Sequence, residues 1–147
     1  LLQKFPAPEF SATTKFTFNP NFDNEEFAMV VMGLSYGSLG VKQVNSKLVI
    51  TQANCKDAVK GGAEQIIEVT AIETNTLYFK VEVNDGAICQ FYFSTDGKTY
   101  FKAGNPFYAT EGRWIGSKVG FVALREGVIN DAGYVDVDWF RIERLSK

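Results

Sequence analysis

The stretch that decides the fold is Leu77–Phe101, LYFKVEVNDGAICQFYFSTDGKTYF. Leu77, Phe79, Val81 and Val83 alternate with Tyr78, Lys80 and Glu82. Period-two alternation is the mark of a half-buried β-strand, because successive side chains point to opposite faces. Asn84-Asp85-Gly86 then turns the chain, and Ala87–Ser94 returns. Asp-Gly between two such runs is a strong hairpin signal. The pattern repeats at once, with Thr95-Asp96-Gly97-Lys98 turning Phe91–Ser94 into Thr99–Phe101. Two consecutive hairpins make a meander. Asp96 is expected to bond backbone amides within its turn.

The same reading extends outward. Phe10, Ala12, Thr14, Phe16 and Phe18 share one face of a strand that Asn19-Pro20 ends. Phe27–Gly33 is a short continuous apolar run, suited to a central strand covered on both faces. Tyr36–Val44 and Leu48–Ala53 form a hairpin pair around Asn45-Ser46-Lys47. Asn54–Gly62 reads as a loop, and Glu64–Ala71 as a strand. Lys118–Leu124 and Tyr134–Glu143 add two strands, joined by the loop Arg125–Gly133. No window longer than about ten residues keeps helical spacing. About ten short strands with frequent turn residues predict an all-β antiparallel sandwich or jelly roll. Without an internal repeat or linker, residues 1–147 read as a single module.

Composition sets bounds on function. The chain has 147 residues and no histidine, which removes the commonest general base and metal ligand and every Ser/His or Cys/His pair. A net charge of −2 gives no basic footprint for nucleic acid. No apolar run approaches the roughly 20 residues that span a bilayer, so the chain reads as a soluble globular protein. Cys55 and Cys89 lack metal-ligand spacing and read as buried thiols, with a single disulfide as the alternative.

Few residues carry candidate chemistry. Asp136 and Asp138 are two apart on a strand and project from one face, about 6.5–7 Å apart. That spacing alone does not exclude glycoside hydrolysis, but both groups point the same way, with no opposed arrangement across a substrate. A solvated strand face, or a structural calcium held by one of these aspartates, is the alternative. No other cofactor is implied. Gly112-Arg113-Trp114-Ile115-Gly116 sets a Trp beside Arg between glycines, with Tyr108 nearby in sequence. An aromatic ring beside Arg suits sugar stacking or an interdomain contact, while the plainer role for a lone Trp is core.

Several motifs, taken in order, resemble a known family. They are Leu2–Phe10, Val31–Leu34, Cys55-Lys56-Asp57, Gly61–Glu64, Val81-Glu82-Val83 with Gly86–Cys89, Ser94–Lys98, Glu111–Gly116, and Lys118-Val119-Gly120 with Asp136–Phe140. Together they resemble the C-terminal concanavalin A-like β-sandwich of glycoside hydrolase family 43, the β-xylosidase and α-L-arabinofuranosidase group. The resemblance implies a non-catalytic accessory module that buttresses a catalytic β-propeller, in the same chain or a partner chain, and shapes its pocket. It makes Tyr108, Arg113 and Trp114 candidates for contact with that domain or with a xylo- or arabino-oligosaccharide. A free-standing xylan-binding module is the alternative function. Family sandwiches begin some forty residues earlier, so the resemblance implies a fold lacking its first strands. An exposed strand edge would follow, and with it homo-oligomerisation. Where some relatives place an aromatic before Val119-Gly120, this chain has Lys118.

Overall fold

The computed structural model describes residues 1–111, 116–126 and 132–145. Eleven strands appear in chain order. They are β1 (Leu2–Lys4), β2 (Phe10–Asn19), β3 (Glu26–Met32), β4 (Tyr36–Val44), β5 (Lys47–Cys55), β6 (Glu64–Ile72), β7 (Thr76–Asn84), β8 (Ile88–Ser94), β9 (Phe101–Tyr108), β10 (Lys118–Leu124) and β11 (Tyr134–Glu143). One sheet has six strands in the order β1-β10-β3-β4-β5-β6, and the other has five in the order β11-β2-β7-β8-β9. Every pairing is antiparallel. The two layers form the sandwich that the alternation predicts.

The core lies between the sheets, where inward positions of facing strands meet. β2 buries Phe10, Ala12, Phe16 and Phe18, and β7 buries Leu77, Phe79, Val81 and Val83. From the other sheet come Phe27, Met29 and Val31 of β3 and Leu39 and Val41 of β4. Phe16 ties the layers together, with its ring 4.6 Å from Phe27 and 4.8 Å from Phe79. Thr14 is the polar exception on β2's inner face. Its hydroxyl donates to the Trp139 carbonyl at 2.8 Å, so the buried oxygen is satisfied.

The turns depart from the sequence reading in position or length. Asn84 pairs with Ile88, so Asp85-Gly86-Ala87 rather than Asn84-Asp85-Gly86 close the first hairpin. Gly86 and Ala87 both take positive φ there, at 74° and 58°. The returning strand therefore starts at Ile88, one residue later than Ala87. The second turn runs from Ser94 to Phe101, and Asp96 organises it. Asp96 Oδ1 accepts from Lys98 N at 2.7 Å and Thr99 N at 2.9 Å. The Thr99 and Lys98 amides, helped by the Ser94 hydroxyl, hold this carboxyl below the ordinary aspartate range. β9 continues to Tyr108 despite Gly104 and Pro106, a register shift between Cys89 and Phe91 taking up the irregularity. Pro is tolerated because β9 is an edge strand.

Both cysteines are buried free thiols on different sheets. Cys55 Sγ lies 3.1 Å from the Gly62 carbonyl, whereas Cys89 belongs to the core, where burial pushes its thiol up to about 12. No helix among the described residues is long and apolar enough to cross a membrane.

Candidate functional site

Three connections meet at one end of the sandwich. They are the β3–β4 turn at Gly33–Ser35, the β5–β6 loop with a single 3-10 turn at Ala58–Lys60, and the β9–β10 connection from Ala109 to Ser117. Ser35 joins all three. Its backbone N–H donates to Thr110 Oγ1 at 2.8 Å, its hydroxyl accepts from Asp57 N at 3.0 Å, and its carbonyl accepts from Gly33 N at 2.8 Å. Leu34 N donates to the Glu111 carbonyl at 3.3 Å, and Val59 N to the Leu34 carbonyl at 3.4 Å. Ser117 closes the far side, its hydroxyl donating to the Thr110 carbonyl at 2.7 Å and its carbonyl accepting from Phe5 N at 3.0 Å. Ser35 and Ser117 are both buried, so these bonds sit where an unmade partner is costly.

Glycine makes this packing possible. A Cβ on Gly33 would lie 1.7 Å from the Thr110 carbonyl oxygen, and one on Gly62 would lie 1.8 Å from the Lys56 oxygen. The frame that results is polar inside, and its surface sets apolar side chains among charged ones such as Lys56, Asp57 and Lys60. Leu34 is 38% exposed, Val59 68% and Tyr108 65%. Tyr108, at the end of β9, borders a cleft of about 310 Å³ lined also by Asn54, Lys56, Ala63, Gln65 and Phe107. The flanks of the Arg113–Trp114 segment, Glu111 and Ser117, are both bonded into this frame. Arg113 and Trp114 themselves lie outside the described residues.

Asp136 and Asp138 belong elsewhere, on β11 at the edge of the other sheet. A bulge between Val137 and Trp139 leaves Asp138 as the extra residue, while Asp136 stays paired with Thr17. Asp138 Oδ2 lies 3.2 Å from Lys15 Nζ, and the bond to Asp138 raises the Lys15 pKa. Lys15 thus supplies the counter-charge at Asp138. Among the described residues no three His, Cys, Asp or Glu side chains gather into a metal-binding group. Sequence reading passed over Leu34, Val59 and the Ser35–Thr110–Ser117 linkage. The one available signal was the pair of exposed-type apolar residues set in otherwise polar, Gly-containing loops.

Residues 1–143 match the family model of the β-xylosidase C-terminal concanavalin A-like domain. The chain belongs to that family. It is 35% identical over 69 residues to a β-xylosidase of Formosa agariphila, a match covering 47% of this chain and 11% of that protein. Among solved structures it resembles a family 43 glycoside hydrolase engineered to show both endo-xylanase and exo-arabinofuranosidase activity. That likeness has a TM-score of 0.84 at 16% identity, and covers 99% of this chain and 31% of the other. A bifunctional family 43 and carbohydrate-esterase protein of Bacteroides eggerthii gives a TM-score of 0.82 at 22% identity, over 99% of this chain and 19% of that one. The chain therefore spans less than a third of the length of each of these relatives. The matching family model is that of a domain at the C-terminus of β-xylosidases.

Proposed function

We infer that the protein is a non-catalytic accessory sandwich of a hemicellulose-degrading glycoside hydrolase, and that the loop end packs on the catalytic domain and shapes its pocket. The observation that carries this reading is the exposure of Leu34, Val59 and Tyr108 on a frame held by five hydrogen bonds between connections and two within them. Apolar side chains clustered on a rigid surface favour a partner over water. Interdomain contacts within a chain use such modest, mixed surfaces. The parent activity this implies is hydrolysis of β-xylosides or α-L-arabinofuranosides, with the catalytic carboxylates on the other domain.

The reading is tested by Val59→Asp and Trp114→Ala, with association to the parent's catalytic domain measured by calorimetry. Both substitutions are expected to weaken association at least tenfold while leaving unfolding midpoints near the parent's. The protein alone is expected not to turn over aryl β-xylosides or α-L-arabinofuranosides. Turnover that disappears in Asp136→Asn or Asp138→Asn would overturn the accessory role. Unchanged association in both loop variants would overturn the placement of the interface.

A further inference from the structure

The cleft bordered by Tyr108 gathers polar groups that the rest of the fold leaves unmatched. It encloses about 310 Å³ at the loop end, between residues of the two sheets, and so falls at the small end of the range for ligand pockets. Alternation along the end of β5 builds one wall. Gln52 and Asn54 are two apart and share a face, and Lys56 continues that row just past the strand. Gln65 of β6 is the register partner of Asn54, which sets a second amide beside the first. Pro106 and Phe107 of β9 come from the other sheet, and with Ala63 they make the apolar part of the lining.

A buried group behind the cleft fixes what the cleft presents. Gln52 is 1% exposed, and its Nε2 donates to Asn54 Oδ1 at 2.7 Å. Gln52 Oε1 has no hydrogen-bond partner and stands over Gly104, 2.4 Å from where a Cβ would sit. Glycine carries a Cα hydrogen there, a weak donor that suits an oxygen and would repel an amide N–H. The Gln52 amide is therefore held with its nitrogen toward Asn54. The Asn54 oxygen is thereby taken, and its NH2 is left with no acceptor among the described residues. The Lys56 ammonium has no ion pair and the Gln65 amide no hydrogen bond among the described residues. Glu64, next in sequence to Gln65, points to the opposite face of β6, where the Tyr36 phenol donates to it. No Asp or Glu lines the cleft.

Building on the reading of the loop end as the interdomain face, we propose that this cleft receives a carboxylate side chain, an aspartate or glutamate, of the catalytic domain. Lys56 supplies the counter-charge, and the amides of Asn54 and Gln65 supply N–H donors, so charge-assisted bonds are available to both carboxylate oxygens. Ala63, Pro106 and Phe107 match the methylene stem that carries such a group, a stem that inorganic phosphate or sulfate lacks. A lysine or arginine from the partner would meet Lys56 with no acid in the lining to offset it. Complementary charge of this kind fixes the register of an interface, while Leu34 and Val59 supply its apolar contact.

The test is carbodiimide coupling of the protein joined to its catalytic domain, since this reagent links an ammonium to a carboxylate only where the two touch. Peptide mapping is expected to find Lys56 joined to an Asp or Glu of the catalytic domain. Calorimetry with the separate domains gives a second readout. Lys56→Glu is expected to weaken association at least tenfold and Lys56→Met less, with unfolding midpoints near the parent's because the side chain is exposed. Asn54→Asp keeps the acceptor for Gln52 and sets a negative charge in the cleft, so it is expected to weaken association by a similar factor. Raising salt from about 50 to about 500 mM is expected to weaken the parent several-fold and Lys56→Met hardly at all. Val59→Asp separates the two levels. If it weakens association while Lys56→Glu and Asn54→Asp do not, the interface stands and the carboxylate anchor is overturned. If none of the three changes association, the loop-end reading falls and the anchor with it. Coupling of Lys56 only to acids of its own module would also overturn the anchor. Glutarate shifting the Asn54 side-chain amide by NMR, with association unchanged in Lys56→Glu, would make the cleft a small-molecule site instead and overturn the proposal.

Discussion

Gly33→Ala is a severe test of the loop frame. The added Cβ would meet the Thr110 carbonyl oxygen at 1.7 Å, whereas non-bonded atoms prefer about 3.5 Å or more. The β3–β4 turn and the Ala109–Ser117 connection must therefore part by more than about 1 Å. Ser35 N then loses Thr110 Oγ1, now at 2.8 Å, and Leu34 N loses the Glu111 carbonyl, now at 3.3 Å. Each net hydrogen bond is worth about 1 kcal/mol. Overpacking adds about 1–3 kcal/mol. A total near 3–5 kcal/mol follows, or a urea midpoint lower by roughly 1.5–2.5 M at a slope of about 2 kcal/mol per molar. Gly86→Ala is the control. Nothing lies within 4 Å of its Cβ, but its φ is +74°, so only the backbone conformation resists, at about 1–2 kcal/mol. Trimming Thr110 to Ala is expected not to rescue Gly33→Ala, because the clash is with a backbone oxygen. A Gly33→Ala midpoint no lower than that of Gly86→Ala would refute the claim that close backbone approach builds this end.

Glu25 is 6% exposed and accepts from Asn21 N at 2.8 Å and from Gly133 N at 3.1 Å. Burial pushes its carboxyl up, but the amides of Asn21, Gly133 and Phe22, with Arg125, outweigh burial and hold it below the ordinary glutamate value. A depressed folded pKa gives stability that is complete above the unfolded value of about 4.3 and is lost as pH falls through the lower folded one. Glu25→Gln is therefore expected to cost about 1.5–3 kcal/mol at pH 7 by urea unfolding, with the gap closing in acid. A gap independent of pH would count against the carboxylate's role. Phe16→Ala removes a ring with 0% exposure that bridges the sheets, and calorimetry should show a loss of about 3–5 kcal/mol. Cys55 and Cys89 are expected to react with Ellman's reagent only after unfolding, both together, and a reductant should leave the melting temperature unchanged. Rapid native reaction of either thiol would contradict its burial.

Strand existence was legible because alternation and burial coincide. β2 and β7 show apolar residues at every second position and bury those same residues. Phe27–Gly33 read as covered on both faces; Phe27 to Val31 are all buried, but Met32 is 38% exposed. Ala28 and Val30 lie outside the core between the sheets and line a cleft that Met32, Tyr36, Glu64 and Leu124 also border. β1 escaped notice because three exposed residues carry no period, and it forms by pairing with β10. β9 was read only as Thr99–Phe101, whereas it runs from Phe101 to Tyr108; Gly104 and Pro106 interrupt its alternation, and an edge position accommodates them. The bulge at Asp138 was invisible to a strict two-residue period, since one inserted residue leaves the pattern on each side intact. Of the site, Tyr108 was singled out for its nearness to Trp114 in sequence, and it is 65% exposed. Leu34, Val59 and the serine linkage were not, because exposure and loop-to-loop bonding depend on strands distant in sequence.

Amide hydrogen exchange, compared between the protein alone and the protein joined to its catalytic domain, tests the accessory reading most directly. Packing at the loop end predicts slower exchange over 33–35, 56–63 and 110–117 when the catalytic domain is present, with β7 and β8 unchanged. Equal exchange at the loop end in both states, or protection confined to the outer faces of the sheets, would contradict it.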